Sequence, residues 1–218
     1  MPEPATTTID VSDMAAVHQV FRDAFGSPGD LVGSVGSEDV ERQILVGDYY
    51  AEVLALLAVH HEGEDELVWP LLRERAPQSA DLVAEMEAQH HQIHADVDRA
   101  VDALAAWTAA PHEDTAAALV AALDAIDGSL VPHLDREERE ILPVAAATMS
   151  AEEWGRLPQH GTAHYGGEKL WLVLGLIREQ MSAEQLAAMD AAMPPPAVEF
   201  WQTAGQGMFD DFMGRLRA

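Results

Sequence analysis

Histidine and glutamate interrupt the apolar stripes of four successive helical segments, each time at a position that helical spacing assigns to the core. Steps of three and four residues connect Met14, His18 and Phe21 in the first segment, and Leu56, His60, Glu64 and Leu67 in the second. They connect Met86, His90, His94 and Val97 in the third, and Leu130, His133, Glu137 and Ile141 in the fourth. A buried imidazole or carboxylate without a partner costs roughly 1–3 kcal/mol. Seven such groups on four facing helices therefore call for a shared partner. A charge-neutralising metal cluster supplies one; a buried hydrogen-bonded network is the plainer alternative.

The segments have readable ends. Val11, Met14, Phe21 and Phe25 mark the first helix, which Gly26-Ser27-Pro28-Gly29 closes. After a glycine-rich loop, Ser37 is the expected N-cap of a long second helix with Tyr49, Val53, Leu56, Leu67 and Leu71 on its stripe and a kink or restart at Pro70. The breaks at Ala76-Pro77-Gln78-Ser79 and Ala110-Pro111-His112 delimit the third and fourth helices, the fourth with expected kinks at Pro132 and Pro143. In an antiparallel pair, residues equidistant from the turn lie at one level. Pro77 is midway between His60/Glu64 and His90/His94, and the Pro111 break is close to midway between His90/His94 and His133/Glu137. The spacing thus predicts an all-α fold in which the second, third and fourth helices bring their polar residues to one height. His18 reaches that level only if the loop from Gly26 to Gly36 runs back along the bundle.

Residues 149–218 read as a second block of shorter helices. Ser150–Glu153 and Ser182–Gln185 have the form of capping boxes. Leu170 to Ile177, together with Phe200, Trp201, Met208, Phe209, Phe212 and Met213, are expected to pack against the bundle or to form a dimer contact. The expected division is residues 1–148 for the bundle and 149–218 for a C-terminal helical extension, in a monomer or homodimer.

Composition removes several classes of function. The chain has no cysteine, which excludes disulfides, zinc–thiolate sites, iron–sulfur clusters and a nucleophilic thiol. Its formal charge of -26, from 38 acidic and 12 basic side chains, repels nucleic acid and anionic lipid. Met1 to Asp10 lacks the pattern of a secretory signal, and no stretch approaches the roughly 20 apolar residues of a membrane span. A cytoplasmic location is the resulting expectation.

Five imidazoles with two carboxylates suit iron, manganese or zinc better than calcium or magnesium, and seven ligands exceed what one tetrahedral zinc can use. Two metals bridged by carboxylates account for the count. The His-x-x-x-Glu spacing also differs from the carboxylate-rich Glu-x-x-His pattern of ferritin-like sites. Over roughly residues 10–147, through His18, His60-x-x-x-Glu64, His90-x-x-x-His94 and His133-x-x-x-Glu137, the chain resembles the hemerythrin-like HHE cation-binding family. The resemblance implies an up-down-up-down four-helix bundle holding two iron ions in an oxo- or hydroxo-bridged di-iron centre. It further implies His90, His94 and His133 on one iron, His18 and His60 on the other, and Glu64 and Glu137 as bridges. The two-histidine iron would keep an open position for dioxygen, nitric oxide or hydrogen peroxide.

Two registers stay open. His61 and Asp65 form a second pair four apart, with Tyr50, Leu54, Leu57, Val68 and Leu72 as their own apolar stripe; the family's spacing selects His60/Glu64. Glu138 competes with Glu137, which helical facing prefers. His160 and His164 are also four apart and would suit a second metal, but no carboxylate pair is evident at their level. The leading functional expectation is a carrier, sensor or store of a small diatomic ligand, because neutral imidazoles leave the cluster less anionic than a carboxylate-rich one. A peroxidase- or catalase-like enzyme would need a proton-shuttling side chain at the open position, for which His61, Glu62 and Asp65 are the candidates. An iron-handling or signalling partner protein is the third class.

Overall fold

The computed structural model describes residues 8–36 and 38–218 and is all-helical, with no strand among the described residues. The bundle region comprises α1 (Ser12–Phe25), the short α2 (Pro28–Gly33), α3 (Val40–Gly63), α4 (Trp69–Arg75), α5 (Ala80–Ala109), α6 (Glu113–Arg136) and α7 (Leu142–Thr148). Beyond it lie α8 (Ala151–Trp154), α9 (Arg156–His164), α10 (Leu170–Glu179), α11 (Ala183–Ala192), α12 (Pro195–Phe200) and α13 (Gln206–Leu216). In the bundle, α1 packs on α3, α3 on α5, α5 on α6 and α6 back on α1, which closes a ring of helices around one core. Ser37, the expected cap, lies outside the described residues. The cap of α3 is Asp39, whose carboxylate accepts the Arg42 backbone N–H at 3.0 Å. The supposed open loop after α1 contains α2, started by Pro28 in the first turn, where a missing N–H costs nothing.

The chain segments that contain α3 and α6 share a device. Between α3 and α4 the residues Glu64–Val68 form a π turn, in which the Trp69 N–H bonds the Glu64 carbonyl, and Pro70 follows at once. Between α6 and α7 the residues Glu137–Ile141 do the same, with the Leu142 N–H on the Glu137 carbonyl and Pro143 next. A π turn takes in one extra residue, and such bulges concentrate at functional sites. The extra residue also moves the apolar stripe on by one. After Glu64 the fully buried residues are Val68 and Leu72 rather than Leu67 and Leu71, and after Ile141 Ala145 rather than Val144. The disturbance expected at Pro70 and Pro143 is therefore a local widening of the helix. Pro132, by contrast, sits inside an α6 that continues to Arg136; Pro132 and Gly128, whose carbonyl loses its partner, both face solvent.

Most apolar side chains of the bundle form one cluster, around Phe21, Phe25, Tyr50, Leu54, Leu57, Ile93, Trp107, Leu123 and Ile126. Leu172, Val173 and Leu176 of α10, Trp201, and Phe209, Phe212, Met213 and Leu216 of α13 belong to that same cluster. A Cβ on Gly175 would run into the Phe209 ring, so the α10–α13 contact depends on glycine there. Phe200 and Met208 remain exposed. A second cluster, with Trp69, Val83, Met86, Ile141 and Trp154, fills the other end of the bundle. The helical run 113–148 is, by length and composition, apolar enough to cross a membrane, its best window averaging a hydropathy of 1.4. This corrects the expectation that no stretch approaches that limit. Alanines raise the average, while Asp124 and Asp127 stand on the run and His133 and Glu137 point inward from it.

Candidate metal centre

Four helices place polar side chains between the two apolar clusters. His18 comes from α1, His60, His61 and Glu64 from the end of α3 and the turn after it, His90 from α5, and His133 and Glu137 from α6 and its π turn. His18, Glu64 and His133 are wholly buried, and His61, His90 and Glu137 are 1 % exposed. They fall into two groups. In one, His61, Glu64, His90 and His133 each offer a ligand atom within 4.8 Å of the others; in the second, His18, His60, Glu64 and Glu137 do so. Glu64 belongs to both. Its Oε1 lies 3.5 Å from His60 Nε2 and its Oε2 3.3 Å from His90 Nε2. Glu137 Oε2 lies 3.3 Å from His18 Nε2 and 3.8 Å from His133 Nε2.

Of the seven residues named from the sequence, the structure gathers His18, His60, Glu64, His90, His133 and Glu137 and leaves out His94. His94 is exposed, its ring 6.2 Å from that of His61 and outside both groups. The buried stripe of α5 runs Val83, Met86, His90, Ile93, Val97, Ala100 and Leu104, so the step after His90 is three residues and lands on Ile93. His61 lies in the first group. Its ring stacks on His90 at 4.0 Å and meets His133 edge-on at 5.3 Å, while His60 turns towards His18 and Phe21, at 5.3 and 5.2 Å. Both apolar stripes of α3 are buried, which is why two adjacent histidines can serve opposite halves of the core. The sequence signal for His61 was that second stripe, and the structure buries residues of both registers.

Outer carboxylates and an amide hold the imidazoles. His90 Nδ1 lies 2.7 Å from Asp65, which also accepts the Trp69 indole N–H at 2.8 Å. His18 Nδ1 lies 2.8 Å from Glu138, itself held by Arg22 at 2.8 Å. His133 Nδ1 lies 3.0 Å from Gln89 Oε1. In each case the Nε2 atom is left facing the centre, the arrangement in which a hydrogen bond at one ring nitrogen frees the other to ligate. Asp65 and Glu138 each follow a central glutamate directly, so the acid next in sequence supports a histidine from a different helix.

The electrostatics are those of a buried cluster of imidazoles and carboxylates that share charge. Burial lowers His60 and His61 well below the ordinary imidazole value, helped by the neighbouring imidazoles, and brings His133 down to about 4. Burial also disfavours charge on His18 and His90, but Glu137 and Glu138 lift the first, and Asp65 and Glu64 the second, to about 9. Glu64 is raised by burial and by the nearby Glu137. Glu137, equally buried, is nonetheless lowered because His18 and other imidazoles surround it. The polar atoms at the centre fit a metal because they lack other partners. His18 Nε2, His60 Nε2, His61 Nε2, both oxygens of Glu64 and Glu137 Oε2 are buried with no partner among the described residues. Leaving six such atoms unpaired in a core is costly, and all six face one volume.

The profile of the hemerythrin HHE cation binding domain matches residues 10–145. No curated protein and no solved structure matches the chain. The profile covers well over half of the 218 residues and spans every residue of the buried cluster. The chain belongs to the hemerythrin HHE cation-binding family.

Proposed function

We propose that the buried cluster holds two iron ions, His61, His90 and His133 on one, His18 and His60 on the other, with Glu64 and Glu137 between them. The observation that carries this reading is Glu64, whose two unpartnered oxygens face histidines of two different groups. Five imidazoles and two carboxylates are the donor set expected of a histidine-rich iron pair, with His61 in the role that the family's spacing suggests for His94. In this reading α1, α3–α4, α5 and α6–α7 alternate up and down, as the short connections at 76–79 and 110–112 between packed helices favour. Residues 149–218 form an extension to a bundle of residues 1–148.

An iron pair held by these residues, oxo- or hydroxo-bridged, would supply an open position for a small diatomic ligand, dioxygen or nitric oxide. The protein's own contribution is to keep that position on the His18/His60 side, where two imidazoles stand against three on the other, and to keep it dry with Phe21. The side chains that could have served as a proton shuttle are otherwise engaged. His61 belongs to the three-histidine group, Asp65 holds His90 and Trp69, and Glu62 faces outward. That disposition favours a carrier, sensor or store over a peroxidase. The test is to load the protein with ferrous iron anaerobically, admit air or nitric oxide, and follow the optical spectrum. Charge-transfer bands that fade when the gas is removed support binding. Sustained consumption of added hydrogen peroxide would instead assign the centre to an enzyme.

A further inference from the structure

We propose a second, independent cation site where α9 crosses the end of α3, built on His160 of α9 and Glu62, with His164 stacked on the imidazole and Glu66 on its far side. Outside the central cluster, His160 Nε2 is the one buried side-chain nitrogen or oxygen among the described residues without a hydrogen-bond partner. The residue is only 7 % exposed. That Nε2 lies 3.9 Å from Glu62 Oε2, and on the far side of the ring Nδ1 lies 3.7 Å from Glu66 Oε2. His164 stacks on His160 with ring centres 4.2 Å apart; its Nδ1 is bound to the His160 carbonyl at 3.1 Å, leaving Nε2 as its available nitrogen.

The chain goes to some length to make this juxtaposition. Ser150 caps α8, Trp154 donates its indole N–H to Asp13 at 2.9 Å, and Arg75 grips Glu153 through both guanidinium nitrogens at 2.7 and 2.8 Å. These contacts set α9 across the α3 end at Gly63. A Cβ there would meet His160 at 3.2 Å and Leu157 at 3.4 Å, so glycine permits the close approach. Two pairs four residues apart, one of imidazoles and one of carboxylates, then face each other across two elements.

The roles follow from the distances. An N···O separation of 3.9 Å accommodates a metal with bonds of about 2.0–2.2 Å to His160 Nε2 and Glu62. Glu66, 3.7 Å away on the Nδ1 side, is beyond hydrogen-bond reach and acts by its charge, which favours the Nδ1–H tautomer and leaves Nε2 free. Solvent completes the shell, and His164, stacked on the His160 ring, holds that ring in place. Mixed imidazole and carboxylate donors suit zinc and other late first-row divalent ions, which a chain of charge -26 also attracts.

The experiment titrates zinc into the full-length protein previously saturated with iron and counts bound zinc and iron per chain. Wild type is expected to hold one more zinc than His160→Ala or Glu62→Gln, with equal iron in all three. Glu66→Gln is expected to retain the zinc, with a modest loss of affinity from the removed charge. Glu62 and Glu66 are half-exposed, so their variants keep the test valid if the His160 variant folds poorly. Equal zinc in wild type and both ligand variants would overturn the site, and loss in His160→Ala with full retention in Glu62→Gln would overturn the ligand set. The comparison is of zinc between variants, so it does not depend on what the bundle centre holds.

Discussion

At the scale of single residues, the centre depends as much on what holds the imidazoles as on the imidazoles themselves. Asp65 and Glu138 each take one ring nitrogen of a histidine from another helix and so aim the second nitrogen inward. Removing that hold without removing a ligand, as in Asp65→Asn or Glu138→Gln, is expected to weaken metal affinity about 10–100-fold while leaving the helical content unchanged. Competition against a chelator of known affinity measures it, and an unaltered affinity in both variants would contradict the role assigned here. Protonation gives a second expectation. His18 and His90 titrate near 9 in the metal-free protein, so both carry a proton at pH 7 that metal must displace. Metal affinity should therefore keep climbing between pH 7 and about 9, and fall as pH drops. A plateau from pH 7 upward would argue against it. The same raised values mean that, without metal, the stabilisation from these two ion pairs is complete below about 6.5 and is lost as pH rises through about 9.

At the scale of elements, the spacing of His18, His60, Glu64, His90, His133 and Glu137 made the helices and their polar level legible, because a residue of the wrong polarity on a core stripe is a strong signal. The exposed placing of His94 was not legible, because steps of three and four both keep to a helix face, and only the buried Ile93 shows which step the core takes. The π turns were hidden for a related reason: an inserted residue shows only as a stripe that slips by one, and Leu67 or Leu71 look as apolar as Val68 or Leu72. The carboxylates facing His160 were hidden because nothing in the order of residues says where α9 lies. The capping boxes at Ser150 and Ser182 were plain, since their chemistry is local. The α10–α13 contact yields an element-scale prediction. Gly175→Ala drives a methyl group into the Phe209 ring and is expected to cost about 1–3 kcal/mol in chemical denaturation, with metal content retained. A neutral effect would show that α13 moves aside freely.

At the scale of the whole molecule, a core that joins α10 and α13 to the bundle on one side and encloses six unpartnered polar atoms in the middle is under tension until those atoms are satisfied. Metal that binds only the folded chain stabilises it by about 2.7 kcal/mol at a hundredfold excess over Kd. For a chain of this size that corresponds to a melting temperature about 5–11 °C above that of the chelator-treated protein. Equal melting temperatures with and without metal would show that the cluster is a self-sufficient polar network. The most direct test of the central claim, a dinuclear centre completed by His61 and not by His94, is the iron content of three proteins loaded side by side: wild type, His61→Ala and His94→Ala. The account predicts two irons per chain in wild type and in His94→Ala, and loss of iron in His61→Ala. Retention of both irons in His61→Ala with loss in His94→Ala, or no stoichiometric iron in the wild type, would contradict it.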